Sequence, residues 1–279
     1  MQEKPDSAVL PALERTASAP VLAYRRRPGR GDALVLLHGV GSSSATWERL
    51  VPLLDPGLDL VMPDYRGHGA SEAGDLPYEL EDFVGDIARL ADELGIRRFH
   101  LLGFSIGAVF AQAAAAAHPE RVATLTLLNS IADRTPAEAA RALDRHARIA
   151  GTDPAEIARE SVARWFTPAF AEAHPEIVDL EVRIVAANRP VPYASAYRVL
   201  ATTDLIDRAG SIAAPTLLIT GGDDQGSTPR MSQAIADRIP GSRLLVIEGR
   251  KHYLHLEVPE LLAEPITDFL AHHPITHHA

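Results

Sequence analysis

The chain carries Gly103-Phe104-Ser105-Ile106-Gly107 between two segments of opposite character. Before it, Phe99-His100-Leu101-Leu102 is a short apolar run of strand length. After it, Ala108 to Ala117 is dense in alanine, the strongest helix former. A strand that enters a helix through Gly-x-Ser-x-Gly is the setting of a nucleophile elbow. The serine sits on a sharp, strained turn, and its flanking glycines are needed because side chains there would collide with the adjoining strand and helix. Small residues cluster in many turns, so the pentapeptide alone says little. Its placement makes Ser105 the candidate nucleophile.

Apolar strand-length runs alternate with helical patterns along the chain, the signature of a mainly parallel α/β sheet covered on both faces. Strands are expected at Ala33–Leu37, Leu58–Met62, Phe99–Leu102, Val122–Leu128, Pro215–Thr220 and Arg243–Ile247. A small-residue loop, Gly39 to Ser44, follows the first of these, and a helix is expected from about Ala45 to Leu54. Between Glu79 and Leu94, apolar residues recur at Leu80, Phe83, Val84, Ile87, Leu90, Ala91 and Leu94, the stripe of an amphipathic helix. A last helix is expected from about Pro259 to Ala271.

The rhythm changes between Ala132 and Ile212. This stretch is rich in Ala and Arg, punctuated by Pro136, Pro154, Pro168, Pro175, Pro190 and Pro192, and contains no strand-like run. It reads as a helical cap of residues 132–212, inserted into a core formed by residues 1–131 and 213–279.

Composition removes several function classes. A net charge of -10 without a Lys/Arg cluster argues against a nucleic-acid partner. The run Arg25-Arg26-Arg27 is read as a solvated strand end. With no cysteine, disulfides, thiolate metal sites and a Cys nucleophile are excluded. The start of the chain, Met1 to Asp6, is polar, and no apolar run reaches membrane-spanning length, so a cytoplasmic protein without membrane contact is expected. The histidines of the tail, His272, His273, His277 and His278, are read as part of a frayed terminus rather than a metal site. No metal and no cofactor are expected.

A serine hydroxyl needs a base in hydrogen-bond reach and a carboxylate to orient that base. In doubly wound sheets, functional residues gather at the carboxyl ends of strands. The strand ending at Thr220 runs into Gly221-Gly222-Asp223-Asp224, which offers Asp224 as the acid, with Asp223 in reserve. A turn or helix-capping aspartate is the plainer alternative. The last strand is followed by Glu248-Gly249-Arg250-Lys251-His252, which places His252 as the base, with His255 its competitor. His38 ends the first strong strand, and a structural hydrogen-bonding role is expected for it. The oxyanion hole should use backbone amides: Ile106 at the start of the elbow helix, and Val40 in the loop after His38.

His38-Gly39-x-Gly41 with Trp47, Asp64-Tyr65-Arg66-Gly67-His68-Gly69-Ala70-Ser71, the elbow, Gly221-x-x-Asp224 and Gly249-x-x-His252 together resemble the α/β-hydrolase fold superfamily from about residue 20 to 270. That likeness implies a mostly parallel, doubly wound sheet with an inserted helical cap, and a structural role for the turn from Asp64 to Ser71. Within the superfamily, Arg164 to Phe170, His174-Pro175, Tyr193-Ala194 and Asp204-Leu205 look like the cap of 3-oxoadipate enol-lactonases. Two departures stand out. Four residues separate Asp224 from Pro229, one more than usual, and the first cap helix, Ala137 to Arg148, has arginines but no tryptophan.

The resemblance implies a hydrolase of small carboxylic esters or lactones, with an acyl-enzyme on Ser105. The same side chains would serve a C–C hydrolase of a ring-cleavage product or a cofactor-free perhydrolase or haloperoxidase, and a non-catalytic receptor is a third class. Trp165 and Phe166, the cap's adjacent aromatic pair, are candidate substrate contacts, with core packing the equal alternative. Arg141, Arg145 and Arg148 share one helical face, which more often marks a solvated surface. If one of them binds a substrate carboxylate, Arg145 is the candidate.

Overall fold

A computed structural model describes residues 10–275. The polar start of the chain and the tail histidines His277 and His278 lie outside them. Eight strands form one sheet: β1 (Leu13–Arg15), β2 (Ala23–Arg27), β3 (Ala33–Leu37), β4 (Asp59–Pro63), β5 (Phe99–Phe104), β6 (Val122–Leu128), β7 (Thr216–Gly221) and β8 (Arg243–Ile247). Their spatial order is β1-β2-β4-β3-β5-β6-β7-β8. From β4 to β8 every pairing is parallel, whereas β1 and β2 are antiparallel additions at one edge.

The six parallel strands are those expected from the apolar runs, with ends shifted by a residue or two. β1 and β2 escape that pattern because β1 is a three-residue edge strand and β2, which lies inside it, has arginine at its last three positions. The arginines of β2 are not merely solvated: Arg26 makes a bidentate pair with Asp59 at 2.9 and 2.7 Å, and Arg27 donates to the carbonyls of Val51 and Asp55. The helix expected at Ala45–Leu54 is instead two short 3-10 turns, Ser44–Trp47 and Val51–Leu53. Pro52 has no N–H to continue a helix through this stretch.

Period-two alternation explains why β3 is apolar at every position. Val35 and Leu37 face one core layer, Leu34 and Leu36 the other. The first layer is completed by α1 (Leu80–Glu93) and α2 (Ile106–Ala117), and the second by Trp47 and the C-terminal helices.

Between β6 and β7 come α3 (Pro136–Gly151), α4 (Pro154–Trp165), α5 (Pro168–Ala173), α6 (Pro175–Ala186), α7 (Pro190–Thr202) and α8 (Ile206–Ala209). Each of α3 to α7 has proline in its first turn, where the missing N–H would have no helical partner. The inserted segment is tied off at its base. The Asp204 carboxylate accepts from the amides of Asp133 and Arg134, both at 3.0 Å, and the Arg134 guanidinium donates back to the carbonyls of Thr203 and Leu200. Three helices follow: α9 (Pro229–Ala236), α10 (Leu254–Glu257) and α11 (Glu260–Ala271). Among the described residues no helix is long and apolar enough to cross a membrane.

Chain order reverses at β3, whose neighbours are β4 on one side and β5 on the other. Crevices at the carboxyl ends of strands open at such a switch point. Leu37 pairs in register with Gly103, so the loop after His38 and the turn at Ser105 are brought side by side.

Candidate active site

Ser105 has φ 57° and ψ -117°, a strained conformation for a residue with a side chain. A Cβ on Gly103 would lie 2.2 Å from the Gly107 carbonyl oxygen, and one on Gly107 would lie 2.3 Å from that of Leu37. The sharp turn therefore forces glycine on both sides of the serine. The Ser105 amide bonds the Leu128 carbonyl at 3.0 Å, which anchors the turn to β6.

Three further strand ends contribute. Asp224 follows β7, His252 follows β8, and Asn129 follows β6 with φ 48°. His252 Nδ1 lies 2.6 Å from Asp224 Oδ2. The same oxygen accepts from Asn129 Nδ2 at 2.7 Å, while Oδ1 accepts from the amides of Gly226 and Ser227 at 2.9 and 3.0 Å. Burial alone would raise the Asp224 carboxyl, but the His252 ring, the amides and Asn129 outweigh it and hold the group below its ordinary range. With Nδ1 donating to a carboxylate, the imidazole keeps Nε2 as its basic nitrogen.

The alternatives are placed elsewhere. Asp223 is exposed, and its amide bonds the Arg250 carbonyl at 2.9 Å. The extra residue before Pro229 is absorbed in the Gly226–Ser227 turn, whose amides clasp Asp224. His255 is fully buried against Trp47 and Phe104, with Nε2 2.8 Å from Thr46 Oγ1, and burial pushes its ring down to about 3. His38 donates from Nδ1 to the Gly39 carbonyl at 2.7 Å and accepts the Tyr65 amide at Nε2, and burial pushes it to about 4. It shapes the loop as a neutral ring.

That loop is a tight turn. Ser42 N–H donates to the Gly39 carbonyl at 3.1 Å, and Gly41 has φ 77°, so Val40 and Gly41 occupy the two corners. Val40 lines the cavity beside Ser105. Ile106 is buried in the core, and its amide, first in α2, has no helical carbonyl to bond. The turn from Asp64 to Ser71 is framework: Asp64 accepts the amides of Ser44 and Ala70, and Arg66 makes a bidentate pair with Asp86.

Ser105, Asp224 and His252 line one cavity of about 490 Å³, roofed by α3, α4 and α7. That volume suits a small organic ligand. Trp165 lines it; Phe166 does not. Phe166 stands just past the end of α4 as its C-terminal cap, and its ring is buried between Phe170 and Tyr253, with centroids 5.3 and 5.2 Å away. The pair separates because the helix ends between them.

The arginine face of α3 also splits. Arg141 and Arg145 line the cavity, whereas Arg148 pairs with Glu156 and Glu160 of α4 on the outside. Arg164, which the sequence reading gave no site role, joins them, as do Arg134, Tyr193 and Tyr197. Arg145 and Arg164 both donate to Ser161 Oγ, at 2.5 and 2.8 Å. Burial and the nearby Arg164 charge push the Arg145 guanidinium down from its ordinary value, the sign of cations held together. Arg141 has no hydrogen-bond or ion-pair partner among the described residues. Glu138 also lines the cavity, but Arg230 neutralises it at 2.6 Å. The site thus combines a strained serine, an imidazole–carboxylate pair and an excess of positive charge. Among the described residues no group of three or more His, Asp or Glu side chains is placed to hold a metal ion.

Comparison with known proteins matches residues 34–264 to the alpha/beta hydrolase family. The chain is 31% identical to 3-oxoadipate enol-lactonase 2 of Acinetobacter baylyi, over 83% of this chain and 86% of the relative. It is 28% identical to the (E)-2-((N-methylformamido)methylene)succinate hydrolase of the same organism, over 89% and 94%. The solved enol-lactonase of Burkholderia xenovorans LB400 superposes with a TM-score of 0.87 at 27% identity, covering 92% of this chain and 100% of that one.

Proposed function

Because the chain belongs to the alpha/beta-hydrolase family, we propose that it hydrolyses small anionic carboxylic esters or lactones through an acyl-enzyme on Ser105. The observation that carries this reading is the 2.6 Å bond between His252 Nδ1 and Asp224 Oδ2, at the cavity that Ser105 also lines. His252 Nε2 takes the Ser105 proton as Oγ attacks the acyl carbon. The amides of Val40 and Ile106 receive the oxyanion. Collapse of the tetrahedral intermediate breaks the acyl C–O bond, and His252 returns the proton to the leaving oxygen. In the second half, His252 deprotonates water, which attacks the acyl-enzyme and releases the acid and Ser105.

Ester or lactone chemistry is supported by the enol-lactonase names of two of the compared proteins. The preference for anions is supported by Arg141, Arg145 and Arg164 around the cavity.

The test is covalent labelling together with turnover. A fluorophosphonate probe is expected to modify Ser105 alone, and Ser105→Ala to remain folded while losing ester turnover by ~10⁴–10⁶. Labelling or turnover that survives in Ser105→Ala rejects the assignment.

A further inference from the structure

The turn that carries Val40 is gripped from two sides. At its start, the Gly39 carbonyl accepts from His38 Nδ1 at 2.7 Å and from the Ser42 amide at 3.1 Å, both groups of the core. At its far corner, the Gly41 carbonyl accepts from Asn188 Nδ2 at 2.6 Å, a group of the cap. Asn188 stands just past the end of α6. Its side-chain amide also donates to the carbonyls of Val185 and Ile184, at 2.9 and 3.2 Å. One NH₂ group therefore joins the last carbonyls of α6 to the Gly41 carbonyl, its two hydrogens shared among three acceptors. Tyr193 closes over the same corner: a Cβ on Gly41 would sit 2.8 Å from its ring.

From this arrangement we infer that Asn188 is a positioning residue for the oxyanion turn, so that the cap orients the Val40 amide as well as roofing the substrate. The inference rests on the reading of Val40 as an oxyanion donor. The Gly39 carbonyl and the Val40 amide belong to one planar peptide, and the Gly41 carbonyl and the Ser42 amide to another. Asn188 holds the second plane by its carbonyl, which aims the Ser42 N–H at the Gly39 oxygen, and that bond in turn holds the plane that carries the Val40 N–H. A donor aimed in advance needs no reorganisation when charge develops, and that is the source of oxyanion stabilisation.

The experiment compares three variants by steady-state kinetics on p-nitrophenyl acetate and by the rate of fluorophosphonate labelling. Asn188→Ala is expected to lower kcat and the labelling rate together by ~10–100-fold, a misaligned donor costing less than a deleted one, with KM within about twofold. Ile177→Ala loosens the packing of α6 at its far end from Asn188, and should lower Tm while leaving kcat unchanged. Asn188→Asp, which sets a carboxylate against three carbonyls, should lose at least as much kcat as the alanine variant. The inference is overturned if Asn188→Ala keeps its kcat, if its loss lies in KM, or if Ile177→Ala loses as much. Should Asn188→Ala fail to fold, full kcat in Asn188→Asp overturns it equally. A dead Ser105→Ala beside a fully active Asn188→Ala would sink this inference alone, whereas an active Ser105→Ala would sink it together with the proposed function.

Discussion

On the floor of the cavity each charged group is paired: Asp224 accepts four hydrogen bonds and His252 is turned by one of them. On the roof, Arg145 and Arg164 share a serine oxygen and Arg141 has no partner among the described residues. The floor is set by backbone at strand ends and is complete without substrate. The roof is built from long side chains on separate helices, and its positive charge is only partly offset, with Glu160 3.7 Å from Arg145. On the proposed reading, chemistry and selectivity thus reside in different parts of the chain. The floor is preorganised; the roof is not electrically closed.

The sharpest way to break this comparison is at the carboxylate. Asp224→Asn should lower kcat by ~10⁴ by stabilising the wrong imidazole tautomer, whereas exposed Asp223→Asn should stay within about tenfold. Comparable losses in the two variants would mean that the floor is not organised around Asp224.

The roof offers a second handle, one that separates substrates rather than abolishing turnover. Arg164→Ala and Arg145→Ala should each raise KM for an ester bearing a carboxylate by ~10-fold or more, the scale of a hydrogen bond to a charged group. Neutral p-nitrophenyl esters should barely respond. If both substrate types suffer alike, the arginines support the fold and select nothing.

A third, smaller effect concerns Glu181, which bridges roof and floor. It is buried, and Ser42 Oγ donates to its Oε2 at 3.5 Å. Burial pushes its carboxyl up to about 8, with the nearby Glu48 charge adding to the rise and the hydroxyls of Thr46 and Ser42 opposing it. Between the unfolded value and about 8, the folded protein holds a proton that the unfolded chain has released, so stability falls as pH rises. Glu181→Gln removes that titration. Its Tm should match that of the parent near pH 5 and exceed it by several degrees above pH 8, as a thermal-melt series would record. A gap that stays constant across pH would show that Glu181 does not titrate in this window.

The same division governs what could be read from the amino-acid order. The parallel strands and the elbow were legible because apolar runs and forced glycines leave local traces. Asp224 and His252 were legible because strand ends limit where such groups can stand. Asn129 left only a weak trace, a polar residue directly after an apolar strand. Arg164 was visible only as part of the cap resemblance and not as a lining residue, since nothing in α4 tells which of its faces α3 will cover. Periodicity placed Arg141, Arg145 and Arg148 on one face correctly. It could not show that the glutamates of α4 would draw Arg148 outside. Asn188 was illegible for a related reason: its partner Gly41 lies 147 positions away. Polarity hid β1 and β2, and Pro52 ended a helix that the surrounding residues favoured.

The Asp204 carboxylate, which fastens the amides of Asp133 and Arg134, has a consequence for how such a chain can diversify. The clasp brings the two ends of the cap together above the carboxyl end of β6, and α8 then carries the chain back to the amino end of β7, which pairs in parallel with β6 whatever lies between them. Loop-closure entropy grows only with the logarithm of length, about 0.6 kcal/mol for each doubling, so a longer or shorter insertion perturbs the sheet little. The segment is in effect a plug-in part with a standard socket. Its helices, arginines included, can be exchanged for others while the strand ends beneath keep their register, and new selectivity need not begin with a new fold.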